Sequence, residues 1–262
     1  MPFSLTDLHC HLLPNLDDGP ETQEEALSMA RLLAEGGVAT VVATPHAKEV
    51  ETIGGREALQ ERVAYFQQAL GEAGIPLSVA VGAEHLLLPD LVGMVEQGKA
   101  ITLNGSRFLL VELDFFHFPL YTEQAIFDLR LRGAVPVLAH PERQALLQRQ
   151  PHRLRRLARM GVLFQVTGAS LLGTFGEAAR RTAEALIKEG LAHAIATDAH
   201  HAQGPRAPTT APVVELVTRL VGEANARRLF HTNPLAIVHN GDVEAIMVPP
   251  QRGILASLLR RT

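Results

Sequence analysis

Short apolar runs, rich in β-branched residues, recur along the chain and alternate with segments of helical periodicity. The runs have the length expected of buried strands in a parallel sheet. They lie at residues 4–9, 38–44, 77–83, 108–113, 135–139, 163–166 and 193–197. The helical segments are clearest at residues 24–35, 57–72, 123–132, 153–160 and 177–189. This alternation of strands and helices predicts an α/β fold.

The boundaries of these segments carry their own signals. Thr22 and Glu25 have the spacing of a capping box before the first helix, and glycines stand where helices are expected to end. No Gly-x-Gly-x-x-Gly follows the first strand, so seven βα units favour a closed or nearly closed barrel, although an open sheet stays possible. From residue 211 the pattern predicts one or two further helices and an amphipathic end at residues 254–259, packed outside the barrel or against another subunit.

Length and composition narrow the class of protein. The 262 residues fit one α/β barrel and contain no long Pro/Gly/Ser linker, so we expect a single domain over residues 1–262. The net charge of -4 and the pI near 6.3 argue against binding nucleic acid through bulk positive charge. Cys10 is the only cysteine, and the chain does not open with a basic segment followed by an apolar stretch. We therefore expect a cytoplasmic protein without disulfides or membrane insertion.

Six of the seven predicted strands run into a histidine, an aspartate or a glutamate. The carboxyl ends of parallel barrel strands share one face, so residues far apart in sequence would converge there. A single such residue is as often a solvated loop residue as a ligand, but the repetition around the predicted barrel favours a metal site. The side chains are those of His9, His11, His46, Glu84, Glu112, His140, Asp198 and His200.

Two pairs of these residues have a spacing that suits a shared ion. One residue separates His9 from His11 and Asp198 from His200, so in extended chain both members of a pair point to the same side. Cys10 then points away and is expected to be a small buried residue. The remaining nitrogen and oxygen ligands suit manganese, iron or zinc without deciding among them.

The first predicted loop adds two adjacent carboxylates. Asp17 and Asp18 precede a Gly-Pro dipeptide, a sequence that is also common in ordinary turns. Because the loop follows the first histidine pair, Asp18 becomes a further candidate ligand. Asp17 is expected to cap the turn.

Seven short motifs surround the predicted strand ends. They are Asp7-Leu8-His9-Cys10-His11, Asp17-Asp18-Gly19-Pro20, Thr44-Pro45-His46, Gly82-Ala83-Glu84, Glu112, His140-Pro141-Glu142-Arg143 and Thr197-Asp198-Ala199-His200. In this combination the chain resembles the polymerase-and-histidinol-phosphatase (PHP) superfamily from residue 7 to about residue 206. The first loop, the Gly-Ala-Glu and the His-x-Glu-Arg are most similar to bacterial manganese-dependent protein-tyrosine phosphatases that act on capsule and exopolysaccharide tyrosine kinases.

The resemblance implies a distorted seven-stranded (β/α)7 barrel, similar to a TIM barrel, with C-terminal helices and three divalent metal ions. Manganese is the expected metal, with iron or zinc as alternatives. The implied ligands are His9, His11, Glu84 and Asp198 for one ion, with Glu84 bridging to a second ion at Glu112 and His140, and Asp18, His46 and His200 for the third.

Two arginines match phosphate-contacting positions of that family. Arg143 lies within the His-x-Glu-Arg motif, and a surface arginine is the alternative interpretation. Arg206 stands near the second position, but one residue separates it from Gly204, whereas in the family the arginine follows the glycine directly. The role of Arg206 therefore depends on whether the loop absorbs the additional residue.

The implied reaction is hydrolysis of protein phosphotyrosine by a hydroxide that bridges two metal ions, without a phosphoenzyme. A bacterial tyrosine kinase is the implied partner. A cysteine-dependent tyrosine phosphatase is excluded, because Leu16 stands where the Cys-x5-Arg loop of Cys10 would need an arginine. The aromatic run at residues 115–119 follows the candidate ligand Glu112 and suits either stacking on a substrate phenol or anchoring a buried loop.

Three other functions remain open at this point. The same scaffold serves histidinol-phosphate phosphatases and other small-molecule phosphatases, because metal ligands alone do not specify the leaving group. A metal-dependent amidohydrolase is disfavoured, since a lysine is commonly expected on the fourth strand, where this chain has Glu112. A non-enzymatic metal-binding module is disfavoured because the set of candidate ligands is complete.

Overall fold

The computed structural model describes residues 3–248, and eight β-strands lie within that range. The strands pair in parallel and are mostly buried, as expected of strands covered on both faces. They are β1 Leu5–Cys10, β2 Val38–Ala43, β3 Ser78–Val81, β4 His85–Leu86, β5 Phe108–Glu112, β6 Val135–Ala139, β7 Leu163–Thr167 and β8 Ala192–Ala196.

The strands form two parallel sheets, ordered β1-β2-β3 and β4-β5-β6-β7-β8. Backbone hydrogen bonds join the sheets just beyond β1 and β8. There the amide of His11 donates to the carbonyl of Ala199 (2.9 Å), and the amide of Asp198 donates to the carbonyl of His9 (2.8 Å). On the other side, β3 leads through residues 82–84 into β4. The carboxyl ends of strands from both sheets therefore meet at one end of the fold.

The prediction of an α/β fold with parallel strands is confirmed, and all seven predicted strands overlap observed ones. The prediction of one closed sheet of seven strands differs from the structure, which has eight strands in two sheets over residues 3–248. The additional strand, β4, forms because the chain changes partner after β3, from β2 to β5. It covers two residues, too few to carry a recognisable periodicity.

Twelve α-helices connect and cover the strands within the described residues. They are α1 Gln23–Glu35, α2 Ala47–Thr52, α3 Arg56–Glu72, α4 Leu91–Glu96, α5 Thr122–Leu131, α6 Ala145–Arg149, α7 His152–Arg159, α8 Gly168–Leu171, α9 Glu177–Lys188, α10 Ala211–Val221, α11 Glu223–Arg227 and α12 Asn233–Val238. The five predicted helices correspond to α1, α3, α5, α7 and α9. Half of the predicted capping box of α1 is present: the Thr22 hydroxyl accepts from the amide of Glu25 (3.2 Å), but the Glu25 carboxylate accepts from the amide of Glu21 (3.1 Å) rather than from that of Thr22.

Apolar side chains fill the space enclosed by the two sheets. Leu8 of β1 and Val42 of β2 belong to one buried cluster with Ile237 of α12. The side chain of Asn104, which precedes β5, donates to the carbonyl of Val238 (3.1 Å), so α12 covers the amino ends of the strands. The opposite ends, where the candidate ligands lie, are left open to form a site.

Between β8 and residue 248 the structure contains three α-helices, α10 to α12, rather than the one or two helices predicted. The amphipathic residues 254–259 lie outside the described residues. Within residues 3–248, no helix combines the length and the apolar character needed to cross a membrane.

Gly82 stands where the chain leaves β3, and a side chain there would collide with β2. A Cβ atom on Gly82 would lie 2.7 Å from Cγ1 of Val42 and 3.1 Å from Cγ2 of Thr44. We expect Gly82→Ala to lower the free energy of unfolding by about 1–3 kcal/mol, as overpacking of a core does. Chemical denaturation measures this change.

Gly71 is the matched control, because a Cβ atom there meets nothing within 4 Å. Gly71 lies inside α3, where alanine is the better helix former. Gly71→Ala should leave the stability unchanged or raise it. Equal losses in the two variants, or no loss in Gly82→Ala, would show that the close approach at residue 82 does not constrain the fold.

Candidate metal centre

The nine side chains proposed as ligands from the sequence converge at the carboxyl ends of the strands. Each of them has a nitrogen or oxygen atom within 4.0 Å of such an atom in another member. The members come from β1, β5 and the segments that follow β1, β2, β3, β6 and β8. They are His9, His11, Asp18, His46, Glu84, Glu112, His140, Asp198 and His200.

Within this cluster, three subsets place their potential ligand atoms within 4.8 Å of one another. Glu84 belongs to two of the subsets, as the bridging role implied by the family resemblance requires. His11 and His46 also belong to two. The subsets are His11, Asp18, His46 and His200; His9, His11 and Glu84; and His46, Glu84 and Glu112.

Glu84 is the centre of the cluster and is 2% exposed. Its carboxylate oxygens lie 2.9 Å from Nε2 of His140, 3.1 Å from Nδ1 of His46, 3.3 Å from Nε2 of His9 and 3.5 Å from Nε2 of His11. Burial alone would raise the pKa of Glu84, but the surrounding imidazoles outweigh burial and hold the pKa well below its usual value. The carboxylate is therefore charged and in a position to serve two cations.

Glu112 has a different electrostatic environment from Glu84, although the two share neighbours. Burial raises the pKa of Glu112 to about 7, and the negative charge of Glu84 contributes to the increase. Oε1 of Glu112 lies 3.8 Å from Nδ1 of His46. A cation bound between Glu84 and Glu112 would favour the charged form of Glu112, because the cation attracts both carboxylates at once.

Two polar side chains outside the predicted set hold the first histidine pair in register. Nδ1 of His9 donates to Oε1 of Gln165 (2.9 Å), and Nδ1 of His11 lies 2.6 Å from Oδ2 of Asp17. The Nε2 atoms of the two rings then lie 3.2 Å apart, and both face Glu84. Carboxylates and amides in this position fix the tautomer of a metal-binding histidine.

Sequence reasoning missed the role of both residues. Asp17 was expected only to cap the turn, and it does accept from the amide of Gly19 (3.0 Å), but it also orients His11. Gln165 lies on the strand that carried no candidate ligand. A fully buried glutamine within the apolar strand β7 was the available signal, because buried polar groups need partners.

His200 contributes a buried nitrogen to the third subset. Its Nδ1 donates to the carbonyl of Asp198 (3.0 Å), so the lone pair is on Nε2. That Nε2 is buried without a hydrogen-bond partner, and it lies 3.2 Å from Oδ1 of Asp18. A buried acceptor that faces a carboxylate oxygen suits a cation between the two atoms.

Asp198 and His140 belong to none of the three subsets, in contrast to the ligand sets that the resemblance implies. Asp198 instead accepts from two guanidinium groups, those of Arg143 (2.8 Å) and Arg206 (3.2 Å). Its Oδ1 still lies 3.6 Å from Nε2 of His9. The arginine contacts therefore compete with a ligand role for the same carboxylate oxygens.

Aromatic rings hold the guanidinium group of Arg143 in place. It lies 4.3 Å from the ring centroid of Phe115 on one side and 4.1 Å from that of Phe175 on the other. The aromatic run after Glu112 thus packs partly against an arginine, whereas Phe116 in the same run is 79% exposed. Phe115 is therefore occupied by Arg143, whereas Phe116 is exposed to solvent.

Arg206 also reaches the cluster, despite the additional residue in its loop. Its guanidinium group donates to Asp18 (3.0 Å) as well as to Asp198, and its buried Nε atom has no partner. The backbone carbonyl of Arg206 accepts from the amide of His200 (3.0 Å), which fixes the loop beside the candidate ligands. Both arginines predicted from the sequence therefore border the cluster.

The backbone is strained at two of the candidate ligands. His140 and Asp198 have left-handed φ values of 32° and 52°. Such conformations are uncommon outside glycine and persist where the surroundings enforce them. After His140, the buried Glu142 accepts from the amide of Thr167 (3.0 Å) and the hydroxyl of Ser170 (2.7 Å). Glu142 therefore ties the loop that carries His140 and Arg143 to β7 and α8.

The remaining predictions of structural roles agree with the contacts. Cys10 is fully buried, and burial raises the pKa of its thiol well above the usual value. His193 accepts from the amide of Phe164 (3.1 Å), and His117 contacts Asp114 at the surface. Neither His193 nor His117 belongs to the subsets described above.

Comparison with known proteins identifies the family to which this site belongs. The family model described as capsular polysaccharide synthesis, CpsB/CapC, matches residues 5–239. The chain belongs to the CpsB/CapC family. The predicted resemblance to bacterial metal-dependent tyrosine phosphatases is thereby confirmed at the level of the family.

Individual members of the CpsB/CapC family match most of the chain. It is 34% identical over 197 residues to tyrosine-protein phosphatase YwqE of Bacillus subtilis, covering 75% of this chain and 78% of YwqE. It is 27% identical over 239 residues to tyrosine-protein phosphatase CpsB of Streptococcus pneumoniae, covering 89% of this chain and 98% of CpsB. The fold matches a crystal structure from work on YwqE and CpsB as metal-dependent tyrosine phosphatases, with a TM-score of 0.87, 29% identity, and coverage of 94% of this chain and 100% of that one.

The contact between Gln165 and His9 predicts a property of this CpsB/CapC protein. Replacing Gln165 by Leu removes the acceptor that fixes the His9 tautomer, so the affinity for a divalent ion such as manganese should fall about tenfold or more. Competition with a fluorescent chelator measures that affinity directly. Gln124→Leu is the control, since Gln124 is exposed on α5 and its amide donates only to Asp128 of the same helix. Unchanged manganese affinity in Gln165→Leu would contradict the positioning role.

Proposed function

We propose that this protein is a metal-dependent phosphatase that hydrolyses phosphotyrosine in proteins. The observation that carries the proposal is the buried Glu84 carboxylate, with four imidazoles within 3.5 Å and a place in two potential metal-binding subsets. Membership of the CpsB/CapC family supports it, since relatives are named tyrosine-protein phosphatases. The substrate class is inferred from those relatives, and the metal chemistry from the residues.

The donor set fits a centre of three divalent ions. His9, His11, Glu84 and Asp198 would hold one ion, Glu84, Glu112 and His140 a second, and Asp18, His46 and His200 the third. All donors are nitrogen or oxygen, and manganese is the metal we favour on the family resemblance. Bound divalent ions lower the pKa of water and neutralise phosphate charge, which is the chemistry that phosphoester hydrolysis requires.

The charges of the chain are suited to a phosphate dianion. Four carboxylates among the nine candidate ligands contribute about four negative charges against the six positive charges of three divalent ions, and the remaining positive charge suits the substrate. Arg143 and Arg206 border the same space, 2.8 Å and 3.2 Å from Asp198. We propose that these guanidinium groups bind the non-bridging phosphate oxygens, because planar fork geometry matches phosphate.

The reaction needs no covalent phosphoenzyme. The thiol of Cys10 is fully buried, its pKa is raised by burial, and no arginine stands at position 16. A phenolate leaves more easily than an alkoxide, so a phosphotyrosine substrate makes little demand on a general acid.

We place the reaction in the cytoplasm, on a phosphorylated protein such as a bacterial tyrosine kinase of capsule or exopolysaccharide synthesis.

Metal removal and a substrate panel test the function together. Chelation should abolish hydrolysis of a phosphotyrosine peptide, and added manganese should restore it. With manganese present, kcat/KM should be at least tenfold higher for that peptide than for histidinol phosphate or a phosphoserine peptide, about 1.4 kcal/mol in the barrier. Full activity after exhaustive chelation would refute the metal dependence. A tenfold preference for histidinol phosphate would replace the proposal by the small-molecule alternative.

A further inference from the structure

A groove leads from the candidate metal centre along the surface between α2 and α4. Its inner part encloses about 350 Å³, and His46, Glu84 and Glu112 form one end of it. An outer part of about 760 Å³ continues the groove towards the start of α3. The two parts share the wall residues Ala47, Glu51, His85, Asp90 and Met94.

The groove is larger than a phosphorylated phenol requires. Pockets of about 300–1,000 Å³ enclose a whole drug-sized ligand, and the two parts together reach the upper end of that range. A substrate whose phosphate lies at the metal ligands must extend away from them through an opening. This groove has three of the candidate ligands in its wall, so it is continuous with the place of reaction.

A second large groove lies on the other side of the first loop but lacks this continuity. It encloses about 830 Å³ between α1 and residues 201–203, and none of the nine candidate ligands lines it. Arg31 and Glu35 of α1 belong to its wall. It therefore provides a comparison of similar size without access to the reacting phosphate.

The wall of the inner groove combines apolar and acidic side chains. Leu86 and Leu88 are each 42% exposed and offer apolar contact area. Besides the candidate ligands, the wall contains three carboxylates and one ammonium group, an excess of two negative charges. The charged residues are Glu49, Glu51, Asp90 and Lys48. The inner wall is therefore complementary to basic residues close to the phosphotyrosine, whereas Arg56 and Lys99 outweigh Glu57 among the residues that only the outer part adds.

We propose that the groove binds the polypeptide segment that flanks the phosphotyrosine, and that it prefers basic residues in that segment. The inference rests on the proposed phosphatase function and adds a determinant of substrate choice. We choose a polypeptide as the occupant for two reasons. The relative YwqE is named a tyrosine-protein phosphatase, and the groove continues well beyond the space needed for the phenol ring.

Two phosphotyrosine peptides of equal length test the proposal, one flanked by lysines and the other by glutamates. In the wild-type enzyme, KM should be about two- to fivefold lower for the lysine-flanked peptide, the size expected of exposed ion pairs. The exposed Glu51, in the last turn of α2, is replaced by Lys. In Glu51→Lys the ratio of the two KM values should fall to one or reverse, and Asp90→Lys should act in the same direction.

Glu35→Lys makes the same charge change in the second groove and should keep the wild-type ratio. A KM ratio that changes in Glu35→Lys but not in Glu51→Lys or Asp90→Lys would overturn the assignment of the groove.

Hydrolysis of p-nitrophenyl phosphate, which has no flanking chain, separates the groove proposal from the phosphatase function. If the wild-type enzyme cleaves p-nitrophenyl phosphate and both peptides, and the two peptides have equal KM values, only the groove proposal is wrong. If it cleaves none of them, the phosphatase function is wrong and the groove proposal falls with it.

Discussion

The rest of the structure depends on one buried negative charge, the carboxylate of Glu84. A charge that is 2% exposed is costly unless it is paired and hydrogen-bonded. Four imidazoles supply that pairing, and they come from segments that follow β1, β2 and β6 as well as from β1 itself. The two sheets must therefore meet with their carboxyl ends together, and Glu84 belongs to two of the three subsets that could hold a cation.

Local features of the chain serve this arrangement. The change of partner between β3 and β4 places Glu84 between the sheets, and the absence of a side chain at Gly82 lets that segment approach β2. Gln165 and Asp17 turn the first histidine pair so that both Nε2 atoms face Glu84. Around the rim, Arg143 and Arg206 donate to Asp198, and we propose that the same guanidinium groups bind the phosphate. Stability and proposed chemistry thus depend on the same contacts.

Much of this could be predicted from the sequence, because strand ends in parallel folds share a face and the candidate ligands recur at those ends. The helices α1 and α9 were predicted within one residue by their apolar periodicity and flanking signals. The strand β4 could not be predicted, since pairing over two residues depends on tertiary contact alone. Gln165 and Asp17 were missed for a related reason. Their partners lie 156 and 6 residues away, and which nitrogen of a histidine they hold is set by the fold.

The proposed metal centre requires Glu84 to join two metal ions. A crystal structure of the manganese-loaded protein, with anomalous scattering recorded at the manganese edge, tests it most directly. We expect at least two anomalous peaks, each about 2.0–2.3 Å from a different oxygen of Glu84, the length of carboxylate–metal bonds. A single peak, or peaks whose ligands do not include Glu84, would contradict it.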